Sequence, residues 1–414
     1  MSIEIRYGVI GNVDAGKSTL TSVLVNGVND DGRGSARELV FNHKHERDNG
    51  RTSSVSHQTY RVNQKDCLAF IDLAGHEKYL KTTLHGMTGY LIDYCILIVS
   101  ANSSIQRMTR EHLSIALALN IPFMVVVTKI DLVKDKKKKI LLETLKSIEL
   151  TILKMGARRN IKKEIKYINN EEDYLEINGV NVPIFQVSNK TGENIDLLKN
   201  YLLSLKSNFK IKNDQIYNKL FTVESKYVVP GIGNVVYGKL LKGQIKKNEL
   251  LYIGPINGAW SQISVKSFHD NFRTKMEQLN ENETGTIAFR FEKDKKGKMK
   301  ELFKKRKNIL KGLIIVSSNQ NLDELQHKEF EADVKILVNH STTIKVNYSP
   351  IINCGKIVQS AKIMRIYNKA ILRGGDVTRV KFKFQFRPEF IELGNKFLFR
   401  EGKTKGIGKI TRLF

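Results

Sequence analysis

The chain has 414 residues and carries a formal net charge of +27, from 69 lysines and arginines against 42 acidic residues. Its 41% hydrophobic and 27% charged content suits a water-soluble protein of two or three domains, and the best candidate for a membrane span, 91–101, is too short to cross a bilayer and carries Asp93. Cys67, Cys95 and Cys354 are too widely spaced for a disulfide framework or a zinc site and read as core thiols.

The N-terminus moves straight into a β-prone run at 5–10, which leaves no room for a signal peptide, so a cytosolic location is expected. Gly11-Asn12-Val13-Asp14-Ala15-Gly16-Lys17-Ser18-Thr19 follows, with helical character from Thr19 to Leu24. Two glycines, a lysine and a hydroxyl residue in a strand-loop-helix setting define a phosphate-binding loop. Backbone N–H groups there point at phosphate oxygens, and the helix start adds partial positive charge. Lys17 is expected to reach the β and γ phosphates, and Ser18 to place its hydroxyl on Mg²⁺.

Next come apolar runs at 68–71, 95–99, 123–127 and 182–187, with helix-like stretches at 109–119 and 194–205 between them. This alternation predicts a doubly wound α/β fold with a mostly parallel sheet. In such a sheet ligands bind at the C-terminal strand ends, which is where the remaining motifs fall. Asp72 ends the first run and can hold Mg²⁺ through water, while Gly75 allows a backbone N–H to approach the γ phosphate. Thr128-Lys129-Ile130-Asp131 ends the third run, and Ser188-Asn189 the fourth. Asp131 can accept from the ring N–H and the exocyclic amine of guanine together, a donor pair that adenine lacks. Lys129 lies along the base in this reading, and the Ser188 region supplies backbone N–H to the guanine carbonyl.

Beyond about residue 211 short β segments appear, at 221–223, 233–240, 250–254 and 288–291. A lysine-rich stretch at 293–307 and a polar linker at 318–323 precede further strands at 330–337, 380–386 and 396–399. Two β-barrels after one α/β domain is the economical arrangement, with domains expected at 1–208, 213–319 and 327–414. Trp260 and the barrel tyrosines read as packing residues. The basic charge fits a polyanionic partner, although an A+T-rich coding bias would also enrich lysine, asparagine and isoleucine. Two histidines and a glutamate at 43–46 are too few to define a metal geometry.

The motif set resembles the translational GTPases of the elongation factor 1-alpha and Tu superfamily, and within them the GTP-binding protein 1 family. The resemblance is carried by the loop with its Val13-Asp14, by Asp31-Gly32-Arg33-Gly34-Ser35-Ala36-Arg37, by Gly50-Arg51-Thr52-Ser53, by the run from Asp72-Leu73-Ala74-Gly75-His76 to Asp131, and in the barrels by Val229-Pro230-Gly231-Ile232-Gly233 and Phe399-Arg400-Glu401-Gly402. It implies a Mg²⁺-dependent, monomeric GTPase that cycles between GTP and GDP and works on the ribosome and its rRNA with a tRNA or a tRNA-mimicking protein. The alternative is a GTP-dependent adaptor in RNA surveillance, mRNA decay or ribosome rescue; a regulatory subunit of a metabolic enzyme such as sulfate activation shares the fold but does not call for a polyanion. Thr52 matches the switch threonine on Mg²⁺, and His76 the histidine that positions the attacking water. Arg51 stands where elongation factors carry an apolar gate residue, and Thr128 replaces the asparagine of the guanine motif, which removes an amide that braces the loop.

Overall fold

The computed structural model describes residues 4–41, 55–63, 66–133, 138–157, 161–207, 217–292, 301, 303, 312–317, 322–337, 343–401 and 403–414, of which 403–405 by their backbone alone. Arg51, Thr52 and the 43–46 group lie outside the described residues, as does most of the 293–307 stretch. The chain divides into two compact units, one built around an α/β sheet and the other holding two barrels.

The α/β unit runs β1 (Glu4–Gly11), α1 (Lys17–Asn26), α2 (Ser35–Glu38), β2 (Ser56–Arg61), β3 (Cys67–Asp72), α3 (Leu80–Gly89), β4 (Tyr94–Ser100), α4 (Arg107–Leu119), β5 (Phe123–Thr128), α5 (Lys138–Ala157), β6 (Glu164–Ile168), α6 (Glu171–Leu175), β7 (Asn181–Gln186) and α7 (Ile195–Ser204). Its seven-stranded sheet has the order β2-β3-β1-β4-β5-β7-β6, parallel throughout except for β2. The inner strands β1, β3 and β5 are buried along their whole length, as parallel strands covered on both faces must be. Tyr7, Val9, Phe70, Ile96, Ile98, Val126 and Phe185 pack with Leu20, Val23, Leu198 and Leu202 of the flanking helices. α4 buries Met108, Thr109, His112, Leu113 and Ala116, one stripe at helical spacing. Gly27, left-handed at φ 70°, stops α1 with its N–H on the Val23 carbonyl.

The second unit follows with β8 (Leu220–Val229), β9 (Gly233–Lys242), β10 (Ile245–Lys246), β11 (Leu250–Ile256), β12 (Ala259–His269), β13 (Lys275–Met276), β14 (Gln278–Leu279), β15 (Thr284–Phe291) and β16 (Ile314–Val316). The ring β11-β16-β8-β9-β15-β12 closes through pairing of β11 with β12. A second closed barrel, β17-β20-β19-β18-β21-β22, uses β17 (Glu329–Ile336), β18 (Ile351–Cys354), β19 (Ile357–Ile366), β20 (Val377–Phe384), β21 (Lys396–Glu401) and β22 (Lys403–Leu413). Phe330, Phe382, Phe384, Phe397 and Phe399 fill its interior. Within this unit Tyr217 donates its hydroxyl hydrogen to Glu392, and Gln326 Nε2 donates to the Gly258 carbonyl at 3.0 Å. Trp260 lies against Gly254, where a Cβ would come within 2.6 Å of the indole. The fold class expected from the sequence is the one observed, and all three cysteines are buried and outside any disulfide.

Candidate functional site

The site begins where β1, central in the sheet, ends at Gly11. Its φ of 144° and the 2.4 Å between an added Cβ and the Ile98 carbonyl oxygen leave glycine as the residue that fits. Gly16, left-handed at φ 92°, precedes α1 without a side-chain cap, so the first-turn N–H groups are open to an anion. Four bonds hold the loop in shape. Gly11 N–H donates to His112 Nδ1 at 3.1 Å, Lys17 Nζ to Asn12 O at 2.7 Å, Lys129 Nζ to Asp14 O at 2.8 Å and Thr128 Oγ1 to Ala15 O at 2.7 Å. The last bond adds to the expectation: the asparagine amide is absent, and the Thr128 hydroxyl braces the loop in its place. Asn12 and Val13 also border a separate hollow of about 290 Å³ shared with Ser100 and Asn102.

At the end of β3, the buried Asp72 accepts the Ser18 hydroxyl hydrogen on Oδ2 at 2.6 Å. A hydroxyl and a carboxylate brought together are the hard oxygen donors that Mg²⁺ prefers, so the residues present fit that ion. Lys17 is buried, and desolvation lowers its pKa against the pull of Asp72 and Asp14. Gly75 sits so close that a Cβ would lie 2.4 Å from Lys17 Nζ and 2.7 Å from Gly11 O. His76 is half-buried, and its Nδ1 accepts the Lys78 N–H at 3.1 Å, capping the 3-10 turn Glu77–Tyr79.

At the end of β5, Lys129 takes the left-handed conformation at φ 61°. Asp131 follows and accepts the Ser188 hydroxyl hydrogen at 2.6 Å. Ser188 Oγ in turn accepts from the Lys190 and Thr191 amides at 3.3 and 3.1 Å, which fixes the carboxylate's direction. Asn189 is buried beside Gly16, its Nδ2 3.6 Å from where a Cβ would stand. A cleft of about 220 Å³ runs from Asp131 and Lys129 to Gly16 and Thr19. The structure therefore brings together the loop, Asp72, Gly75, Thr128, Lys129, Asp131, Ser188 and Asn189, while Thr52 lies outside the described residues.

Two features escaped the sequence reading. His112 lies fully buried on α4, a hundred residues from the glycine it contacts, and no local pattern announces it. The 30–37 segment lines the cleft with Asp30, Arg33 and Arg37. Its signal was two arginines among glycines and aspartates directly after α1, quoted above for resemblance without a role.

Comparison with known proteins follows the same outline. A family description, Elongation factor Tu GTP binding domain, matches residues 4–222. GTP-binding protein 1 of Xenopus laevis is 40% identical over 442 residues, covering 99% of this chain and 64% of its own. GTP-binding protein 2 of Homo sapiens is 35% identical over 437 residues, with 99% and 69% covered. This chain thus spans about two thirds of the length of these relatives. Among solved structures, the S. cerevisiae Ski7 GTPase-like domain bound to GTP matches with a TM-score of 0.73 at 16% identity, covering 99% of this chain and 97% of that one. Translation elongation factor SelB from Methanococcus maripaludis, in complex with a GTP analogue, matches with a TM-score of 0.68 at 19% identity, covering 100% and 80%. At such identities the structural likeness speaks for the fold alone, whereas the family match and the two curated relatives place the chain itself: it belongs to the elongation factor Tu-like GTPases, in the GTP-binding protein 1 family.

Proposed function

We propose that the chain is a GTP-hydrolysing switch of the translation type, acting on the ribosome with a tRNA or a tRNA-mimicking protein, its three domains spanning 1–208, 213–319 and 327–414. The observation that carries the nucleotide assignment is Asp131, aimed by Ser188 at one end of a cleft whose other end is the phosphate loop. A carboxylate in that place takes both guanine donors, and an ATP base would leave it unpaired at a cost of several orders of magnitude in affinity. The Ser188 amide already donates to the Glu193 carbonyl at 3.1 Å, so the guanine carbonyl falls to the amide of Asn189. Lys17 leaves the Asn12 carbonyl to bind the β and γ phosphates.

Ser18 and, through water, Asp72 would hold Mg²⁺, with Thr52 completing the set; the ion's contribution is to neutralise charge on the β and γ phosphates. Gly75 brings the segment after β3 against Lys17, which suits an amide that meets the γ phosphate only in the GTP state. His76 uses Nδ1 as an acceptor, so its neutral form carries the proton on Nε2. That nitrogen is the one free to orient a water once a ribosome turns the ring inward. Loss of the γ phosphate would release these segments.

The net charge of +27 supports an RNA partner, because cations bound to phosphates release counterions. Cosedimentation with ribosomes in the presence of a non-hydrolysable GTP analogue, against GDP, across a salt series tests the reading. Binding in the analogue state that weakens steeply with salt is the expected result. Absence of analogue-dependent binding would overturn the ribosomal role and leave the adaptor in RNA surveillance ahead.

A further inference from the structure

The cleft between Asp131 and the phosphate loop has a wall that none of the nucleotide motifs supplies. It is formed by 30–37 and presents Arg33 and Arg37. The wall is anchored to the base end, since Asp30 N–H donates to the Asn189 carbonyl at 2.8 Å. It is also tied internally: the Asp30 carboxylate accepts the amides of Gly32 at 2.9 Å, Gly34 at 3.2 Å and Ala36 at 3.1 Å. Gly32, at φ 86°, lets the wall close on the aliphatic stem of Lys190, which a Cβ would meet at 3.1 Å. Gly34, at φ 93°, lets the Arg37 guanidinium fold across it, its Nε 2.8 Å from where a Cβ would stand.

The arginines on this wall have no acidic partner among the described residues. Asp30 is occupied by backbone amides, and Asp131, oriented by Ser188, is the group assigned to the base. Neither Arg33 nor Arg37 makes an ion pair among the described residues, although acidic groups stand close by. Guanidinium forks facing a cleft without a carboxylate partner suit phosphate oxygens. The part of the nucleotide concerned follows from what else lines the cleft. Gly16 and Thr19 do, whereas Lys17, Ser18, Asp72 and Gly75, which frame the γ-phosphate and metal end, do not.

We propose that Arg33 and Arg37 bind the α and β phosphates of the nucleotide, the nucleoside-diphosphate part common to GTP and GDP. The proposal rests on the cleft being the GTP site. It makes the 30–37 wall a clamp that retains GDP as firmly as GTP, so that opening of this wall limits nucleotide release.

Equilibrium and stopped-flow binding of fluorescent GDP and of a fluorescent non-hydrolysable GTP analogue to the full chain test it, using Arg33→Ala, Arg37→Ala, the double variant and Arg37→Lys. Each alanine variant is expected to weaken both nucleotides by about tenfold, by the same factor for each, chiefly through faster dissociation, with the effect shrinking at high salt. Arg37→Lys should recover part of the loss, because it keeps the charge but not the fork. Unchanged affinity in the double variant would overturn the proposal. So would a loss confined to the triphosphate, or slower single-turnover hydrolysis at unchanged affinity, either of which would put the arginines at the γ phosphate. Arg33 is exposed, so its variant reports even where the double variant melts early. Wild-type protein that binds neither nucleotide would instead sink the reading of the cleft itself.

Discussion

His112 shows how much one side chain far away in sequence can decide. Its burial, and then the charge of Lys17, press its pKa from 6.5 down to about 3. It therefore stays neutral near pH 7, with Nδ1 available to accept the Gly11 N–H. The unfolded chain, with its histidine near 6.5, takes up the proton first as the medium acidifies. The contribution of this group is full above 6.5 and is lost as the pH falls toward 3. His112→Asn keeps an acceptor oxygen near the Nδ1 position and does not titrate. Between pH 7 and 5 this variant should lose about 2 kcal/mol less stability than the wild type; denaturation curves that shift in parallel with pH would refute this. Asp131 makes a different prediction at the same scale. Asp131→Asn presents an N–H where guanine presents another and xanthine a carbonyl, so preference should swing toward xanthosine nucleotides by about a hundredfold. Competition binding measures this, and retained selectivity for GTP would remove the residue from base recognition.

Among the elements, β8 and β9 show where the first barrel has no slack. Gly238 of β9 faces Thr222 of β8 so closely that a Cβ would stand 1.9 Å from the Thr222 carbonyl oxygen. The registers of the two strands slip nearby, between Val223 and Ser225. Gly238→Ala is expected to cost about 3 kcal/mol of stability, from overpacking against backbone that does not yield as a side-chain tip would. Thermal denaturation checks this, and an unchanged midpoint would mean that the strands separate without penalty. The same elements show what a sequence discloses. The strands β3, β4, β5 and β7 stand out as apolar runs because both of their faces are covered. The edge strand β2, Ser-His-Gln-Thr-Tyr-Arg, has one open side and no such run, so nothing marks it. β6 is similar, since its Glu-Ile-Lys-Tyr-Ile falls at the opposite edge of the sheet and interleaves charged with apolar residues. α5 is hard to see for a related reason: it starts at Lys138, inside the lysine run 136–139, where no apolar periodicity marks its beginning. In the site, the loop, Asp72 and Asp131 were legible because their chemistry depends on short spacings. The His112 contact and the 30–37 wall depend on where α4 and the chain after α1 pack, which spacing does not encode.

For the whole molecule, the two barrels are joined by polar contacts as well as by chain. Tyr217, ahead of the first barrel, gives its hydroxyl hydrogen to Glu392 in the second. Burial, and then that carboxylate, push the phenol's pKa well above its ordinary value. Tyr217→Phe should lower the stability of the barrel unit by about 1.5–3 kcal/mol, the range for a hydrogen bond to a charged group. Differential scanning calorimetry would show an earlier barrel transition with that of the α/β unit unmoved; a shift of both transitions would argue against a local role.

The bonds from β5's end to the phosphate loop have a further meaning for the life of the bound state. Thr128 grips the Ala15 carbonyl and Lys129 the Asp14 carbonyl, so the segment proposed to read the base also holds the loop proposed to cradle the phosphates. The two halves of the pocket are tied to each other through these bonds. An exchange catalyst that levered at the base-reading end would slacken the phosphate grip in the same stroke, and one that pried at the phosphate loop would tilt Lys129 away from the base.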